Sequence, residues 1–251
     1  MVPVYSIFRK TQKELHSYIL KRMMEFYPTS ITATKKYIMA QGDIPIMLVA
    51  HLDTVFPEPT RHDMQIFYDQ SHKVMWSPEG LGADDRAGVI LILKILEAGY
   101  RPHILFTHDE EIGGLGAIDV TIDFPKPEWD MRYIIQLDRM GYNDCVFYSC
   151  DNQEFISYVE SFDFAYSFGS FSDISILMPA WKVAGVNVSV GYLDEHFESE
   201  YWHVDWANET YYRIIAMLSA PPESQFVYIP RPVTLLPING GKQSTWTKSF
   251  M

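Results

Sequence analysis

Cysteine is scarce: Cys145 and Cys150 are the two in a chain of 251 residues, too few for a disulfide framework. Both fall in the alternating, strand-like stretch "CVFYSC", where they are expected to act as small apolar residues. Long hydrophobic runs are missing as well, and without about eighteen consecutive uncharged apolar residues a membrane-spanning helix is excluded. The opening stretch "MVPVYSIFRKTQKELHSYIL" meets charge before any apolar core of useful length. It therefore lacks the order of a secretory signal, and a cytoplasmic location is expected. Positive charge is in short supply too: Lys and Arg number 20 against 32 Asp and Glu, a formal net charge of −12. That balance argues against a nucleic-acid partner and permits a site for divalent cations. Acidity also serves solubility alone, so it goes no further than that.

What is present is a chain of ordinary globular composition, 47% hydrophobic and 21% charged, long enough to bury one large core. Apolar positions at helical spacing between 7 and 26 predict an amphipathic helix that ends before Pro28. "IPIMLVAH", a nearly continuous apolar run, predicts a strand buried on both faces. "MQIFYDQSHKVMWSPEG" alternates around polar turn residues and predicts a hairpin. "RAGVILILKILE" is apolar nearly all round and stops at Gly99, as a buried helix with a glycine C-cap would.

Further strands are expected in "HILFTH", "RYIIQLD" and "VNVSVGY". Helices are expected in "NQEFISYVESF", capped by Asn152, in "SDISILM", capped by Ser172 or Asp173, and in the segment ending "YYRIIAML". Strands alternating with helices imply an α/β fold: a single domain with a mostly parallel central sheet and helices on both faces. The expected domain spans 1–220, and the Pro-rich residues 221–251 form an extended tail. No internal repeat interrupts this layout.

Polar clusters follow the strands at their C-terminal ends, where open α/β sheets bind ligands. His51 with Asp53, Asp109 to Glu111, Asp138, and Glu195 with His196 stand at these positions. Adjacent Asp84 and Asp85, in "GLGADDRAGV", repel each other when partly desolvated and call for a nearby cation. In chain order the possible ligands are His51, Asp84, Glu111, Asp138 and a late histidine. Two imidazoles and three carboxylates suit zinc, with manganese or cobalt as lesser choices. One tetrahedral ion would leave carboxylates over; two ions about 3.5–4 Å apart would use them all if one carboxylate bridges the pair.

In that order "HLD" (51–53), "GADD" (82–85), "DEEIG" (109–113), "LD" (137–138) and a late histidine resemble the di-zinc co-catalytic exopeptidases, which comprise the aminopeptidases, peptidase T and related deacylases. The resemblance spans about residues 45 to 215. It implies that Asp84 bridges two metals, that His51 and Asp138 complete one site, and that Glu111 and the late histidine complete the other. It also implies a cis peptide bond after Asp84. Glu110 resembles the general base, which takes a proton from the attacking water and passes it to the leaving amine. Asp53, two residues after His51 on an extended chain, is on the same side and can hold the imidazole tautomer.

For the late histidine, "HFESE" gives His196 followed by Glu200, similar to the H-(S/T)-x-x-E pattern of the family, with Phe197 where Ser or Thr is common. His196 is preferred on that ground and His203 is the alternative. Only 57 residues separate Asp138 from His196, too few for the inserted dimerisation lid, so the chain resembles the compact single-domain form.

The implied substrate is a peptide or small amide. An aminopeptidase is the first reading, a deacylase or carboxypeptidase/dipeptidase the second, and a non-catalytic peptide-binding relative the third. Arg139, beside Asp138, keeps the second open, because a guanidinium there either binds a substrate carboxylate or neutralises the acidic pocket. Arg86 is expected in a salt bridge at the first helical turn, and Asp173 as a helix cap. His16, His62, His72 and His103 fit no site pattern and are expected at the surface or in the hairpin, while His108 is placed equally well in a structural role or lining the site. "FDFAYSFGSF" is expected as core or as a specificity pocket.

Overall fold

The computed structural model describes residues 2–57 and 62–232. The first half contains α1 (Val4–Phe8), α2 (Gln12–Phe26), β1 (Ile31–Ala33), β2 (Tyr37–Ala40), β3 (Ile44–His51), β4 (Phe67–Asp69), β5 (Val74–Trp76), α3 (Ala83–Glu97), β6 (Pro102–Thr107) and α4 (Leu115–Asp123). The second half adds β7 (Tyr133–Arg139), β8 (Asp144–Val146), α5 (Gln153–Glu160), β9 (Ala165–Tyr166), α6 (Ile174–Trp181), β10 (Gly185–Ser189), β11 (Tyr192–Leu193), β12 (Tyr201–His203) and α7 (Val204–Ser219).

Eight strands form the main sheet in the order β1-β2-β6-β3-β7-β10-β8-β9. Its centre, β6, β3, β7 and β10, is parallel throughout, while β2 and β8 join it antiparallel. Consecutive residues of β6 and β10 are all buried, which requires cover on both faces. Helix α3 packs on β3 and β7 and against α7; α4 and α6 pack together and reach β2, β6, β7 and β10. The expected single-domain α/β sheet flanked by helices is the fold observed.

Local sequence accounts for the elements. In α2 the buried residues Leu15, Ile19 and Met23 recur every fourth position, the apolar stripe of a helix laid on a core. The single helix expected over 7–26 is two helices: Thr11 and Glu14 form a reciprocal capping box that starts α2 afresh. Helix α3 is buried nearly all round because sheet, α1 and α7 enclose it, and Gly99, at φ +96°, follows its end as a C-cap glycine does. The hairpin β4–β5 forms as expected and joins β12 and β11 in a second, four-stranded sheet. Gly191, at φ +90°, splits the expected strand "VNVSVGY" between the two sheets.

Short β1, β2, β8 and β9 and helix α4 carry no sequence signal of comparable strength. Of the expected tail, residues 221–232 pair along the domain, with bridges between Val183 and Val227 and between Cys150 and Pro230; residues 233–251 lie outside the described residues. Cys145 and Cys150 are buried free thiols. Among the described residues no helix is long and apolar enough to cross a membrane.

Candidate metal centre

Connections leave β3 towards β6 on one side and β7 towards β10 on the other, so the crevice of this sheet opens between the C-terminal ends of β3 and β7. His51 ends β3 and Asp138 is the penultimate residue of β7. Across the crevice His51 Nε2 lies 3.5 Å from Asp138 Oδ1.

Asp84 enters from the turn that opens α3. Gly82 there takes φ +71°, and a cis peptide bond joins Asp84 to Asp85. The two Asp84 oxygens serve different neighbours: Oδ1 is 2.9 Å from His51 Nε2 and Oδ2 is 3.2 Å from His196 Nε2. His196 Nε2 is in turn 3.1 Å from Glu111 Oε2. The result is two clusters, His51–Asp84–Asp138 and Glu111–Asp84–His196, with Asp84 common to both.

His196 sits on the loop from β11 to β12, at φ +68°. Buried Glu200 ties that loop to the Asp84 turn by accepting the backbone N–H groups of Ala83 at 2.8 Å and Asp84 at 3.2 Å. His203 is placed elsewhere: its Nδ1 accepts the Trp206 N–H at 3.4 Å and its ring stacks on Trp206, capping α7. Asp85 approaches His51 and Asp138, but its oxygens are committed to backbone donors, the N–H of His51 at 3.1 Å and of Gly88 at 2.9 Å.

Asp53 connects the two clusters. Its Oδ1 accepts the His51 Nδ1–H at 3.2 Å and its Oδ2 the Glu111 N–H at 3.0 Å, which directs His51 Nε2 towards the cluster. Burial disfavours its charge, yet the positive His51 ring holds its carboxyl down to about 2. Arg86 is fully buried and donates to the carbonyls of Asp53 and Lys10 at 3.2 and 3.0 Å. It fixes the chain on which Asp53 stands.

Several side chains without a site role in the sequence pattern support Asp138. Asp138 Oδ1 accepts from Tyr192 OH, and its Oδ2 from Ser172 OH and Gln136 Nε2. Asn187 clasps the Asp138 backbone through both its amide atoms. Gln136 and Asn187 interrupt otherwise apolar buried strands, and a buried polar side chain needs a partner; that was the available signal.

Asp173 stands at the expected N-cap position of α6 without capping it through its side chain. Fully buried, that side chain accepts from Thr107 OH, and burial lifts its carboxyl to about 7. His103, expected at the surface, is buried between Gly42 N–H and the Asp130 carbonyl. His16, also expected there, lies 2.8 Å from Nε2 of buried His108. His72 stays in the exposed hairpin and His62 is exposed beside Glu14. In "FDFAYSFGSF", Phe164 is core, whereas Gly169, Ser170 and Phe171 line the cavity at the clusters.

That cavity, about 130 Å³, is lined by Asp84, Glu110, Glu111, Asp138, Arg139 and His196 among others. Burial, then the negative neighbours, raise the pKa of Glu110, Glu111 and Asp138, and Glu111 Oε1 is buried without a partner. A crowded carboxylate set with an orphaned oxygen and two imidazole nitrogens is short of positive charge, and these donors fit divalent cations of the zinc, manganese or cobalt kind.

No protein-family model matches this chain, and no curated protein matches it by sequence. In three dimensions it is similar to a tripeptidase from Staphylococcus aureus, with a TM-score of 0.65 at 13% identity over 86% of this chain and 95% of that one. It is similar to the same degree to the aminopeptidase PepT of Bacillus cereus, with a TM-score of 0.65 at 12% identity over 86% and 96% of the two chains. An aminopeptidase of the archaeon Desulfurococcus kamchatkensis gives 0.64 at 12% identity over 86% and 93%. At such identities the likeness establishes a shared fold.

Proposed function

We propose that the chain is a metal-dependent hydrolase of peptide bonds, an aminopeptidase that works with two zinc ions. The observation that carries the reading is Asp84, whose two oxygens each join a separate histidine-carboxylate cluster, with Glu110 lining the same cavity. The similar structures, a tripeptidase and two aminopeptidases, agree with it.

His51, Asp84 and Asp138 would hold one ion, and Glu111, Asp84 and His196 the other, with manganese or cobalt acceptable to the same donors. Bound divalent ions would polarise the scissile carbonyl and lower the pKa of water. The chain's own residues supply the rest. Glu110, whose proton affinity is raised by burial, takes one proton from the attacking water and returns it to the leaving amine nitrogen, as a general base and then acid does. Asp53 fixes the His51 tautomer, while Tyr192, Ser172 and Gln136 hold Asp138 in place.

The test is mass spectrometry of a peptide pool with free, N-acetylated and C-amidated members, incubated with the zinc-loaded protein and with Glu110→Ala. Release of single N-terminal residues from free-amine peptides is expected, and Glu110→Ala should keep its metal while losing about 10²–10⁴ in turnover. Equal activity in the variant ends the general-base assignment; no cleavage by either protein ends the peptidase reading. A second reading, a dipeptidase or deacylase that acts on a carboxylate-bearing amide, is favoured by one observation, the position of Arg139.

A further inference from the structure

Arg139 ends β7 directly after Asp138. Successive residues of a strand ordinarily point to opposite faces, yet both line the same cavity. The pairing of β10 with β7 is irregular between Asn187 and Ser189, where Ser189 stands opposite Arg139, and such an irregularity turns a side chain out of its alternation.

The guanidinium makes no ion pair or hydrogen bond with any described residue, and its Nε is buried without a partner. This is unexpected on electrostatic grounds, since Glu110, Glu111, Asp138 and Glu195 line the same cavity and the chain carries a net charge of −12. Were Arg139 there to neutralise the pocket, one of these carboxylates would be its partner. A planar, permanently charged fork left free in a confined space is a receptor for an anion brought in from outside, and a carboxylate matches it with two parallel hydrogen bonds.

Size narrows the choice. About 130 Å³ is the volume of about four waters at roughly 30 Å³ each, well below the 300 Å³ or more of a drug-sized pocket. A cavity of that order favours a small amide, with little beyond the bond to be cut.

We propose that Arg139 receives the free α-carboxylate of the substrate, so that the chain prefers dipeptide-sized amides in which the residue after the scissile bond bears that carboxylate. The proposal rests on the peptidase reading of the site and gives it a substrate class. Dipeptides and N-acyl amino acids share the required carboxylate, and they differ in whether a free amine lies on the other side of the bond.

The experiment compares kcat/KM of the zinc-loaded protein for alanyl-alanine, alanyl-alaninamide and N-acetyl-alanine, in the wild type and in Arg139→Gln and Arg139→Lys. A hydrogen-bonded charge pair predicts that alanyl-alanine is preferred over its amide by about 10- to 100-fold. In Arg139→Gln that preference collapses to within about threefold, chiefly through KM for the free acid, and Arg139→Lys restores part of it. Turnover of N-acetyl-alanine comparable with alanyl-alanine assigns a deacylase, and its absence a dipeptidase; both keep the carboxylate requirement.

A wild type indifferent to amidation, or a preference that survives Arg139→Gln, overturns the proposal while leaving the peptidase reading intact. Calorimetric binding of alanyl-alanine and its amide to the same three proteins provides a readout independent of turnover. Arg139-dependent binding without cleavage would sink the peptidase reading and keep the carboxylate receptor. Equal binding of the two forms, or binding of neither, sinks the receptor.

Discussion

Replacing Asp53 with Asn changes one oxygen to an NH₂ group at the point where the two clusters are joined. In the metal-free protein burial opposes the Asp53 charge but His51 outweighs it, and the carboxyl sits at about 2 against an ordinary 3.8. A tenfold change in proton affinity is worth 1.36 kcal/mol, so the ionised side chain contributes about 2 kcal/mol at neutral pH. Because the folded pKa is the lower one, that contribution is complete above 3.8 and disappears as the pH falls through about 2. For a domain of this size it corresponds to a Tm lower by about 4–8 °C. Asn can also accept from only one of the two donors, His51 Nδ1–H and Glu111 N–H, so zinc affinity should fall by about 10- to 100-fold. Thermal melts of EDTA-treated wild type and Asp53→Asn should differ by a constant amount from pH 6 to 5 and converge as the pH falls from about 4 towards 2, with zinc calorimetry at pH 7 as the second readout. Equal melting temperatures with equal zinc affinity, or a gap that widens towards acid, would refute the reasoning.

The late histidines separate cleanly. His196→Ala should reduce bound zinc from two ions per chain to one by elemental analysis. His203→Ala should keep both and lower stability by about 1 kcal/mol through loss of the α7 cap; the reverse pattern would reassign the ligand. Gly88→Ala should destabilise despite alanine's better helix propensity. Its Cβ would stand 2.0 Å from the Leu137 carbonyl oxygen and 2.4 Å from Asp85 Oδ1, so α3 must move off β7 at a cost of about 1–3 kcal/mol. A denaturant midpoint unchanged from wild type would show that this approach is looser than the geometry implies.

Much of this was legible in the sequence, for definite reasons. Strands such as "IPIMLVAH" announce themselves because burial on both faces demands unbroken apolarity, and their ends mark the ligand-binding edge whatever the chemistry. The five proposed ligands stand at those ends or at the helix start of α3, which is why an ordered list of His, Asp and Glu found residues that the fold links through contacts of 2.9 to 3.5 Å. Side-chain direction was less legible. Asp173 stands at the cap position of α6 yet turns its side chain into the core, to Thr107, and Arg86 reaches two backbone carbonyls distant in the chain. Polar residues that meet only through tertiary packing, such as Gln136, Ser172 and Tyr192 around Asp138, have no shared sequence spacing to give them away. Elements of three or four residues, such as β1, β2 and β8, depend on their neighbours in the sheet rather than on their own pattern.

The most direct test of the central claim is the zinc stoichiometry of the wild type beside Asp84→Asn, Asp138→Asn and Glu111→Gln, measured by elemental analysis after equilibration at fixed free zinc. Two ions per chain in the wild type, one in Asp138→Asn and in Glu111→Gln, and neither held tightly in Asp84→Asn is the predicted result. A single ion in the wild type, or two ions retained in Asp84→Asn, would contradict an Asp84 shared between two metals.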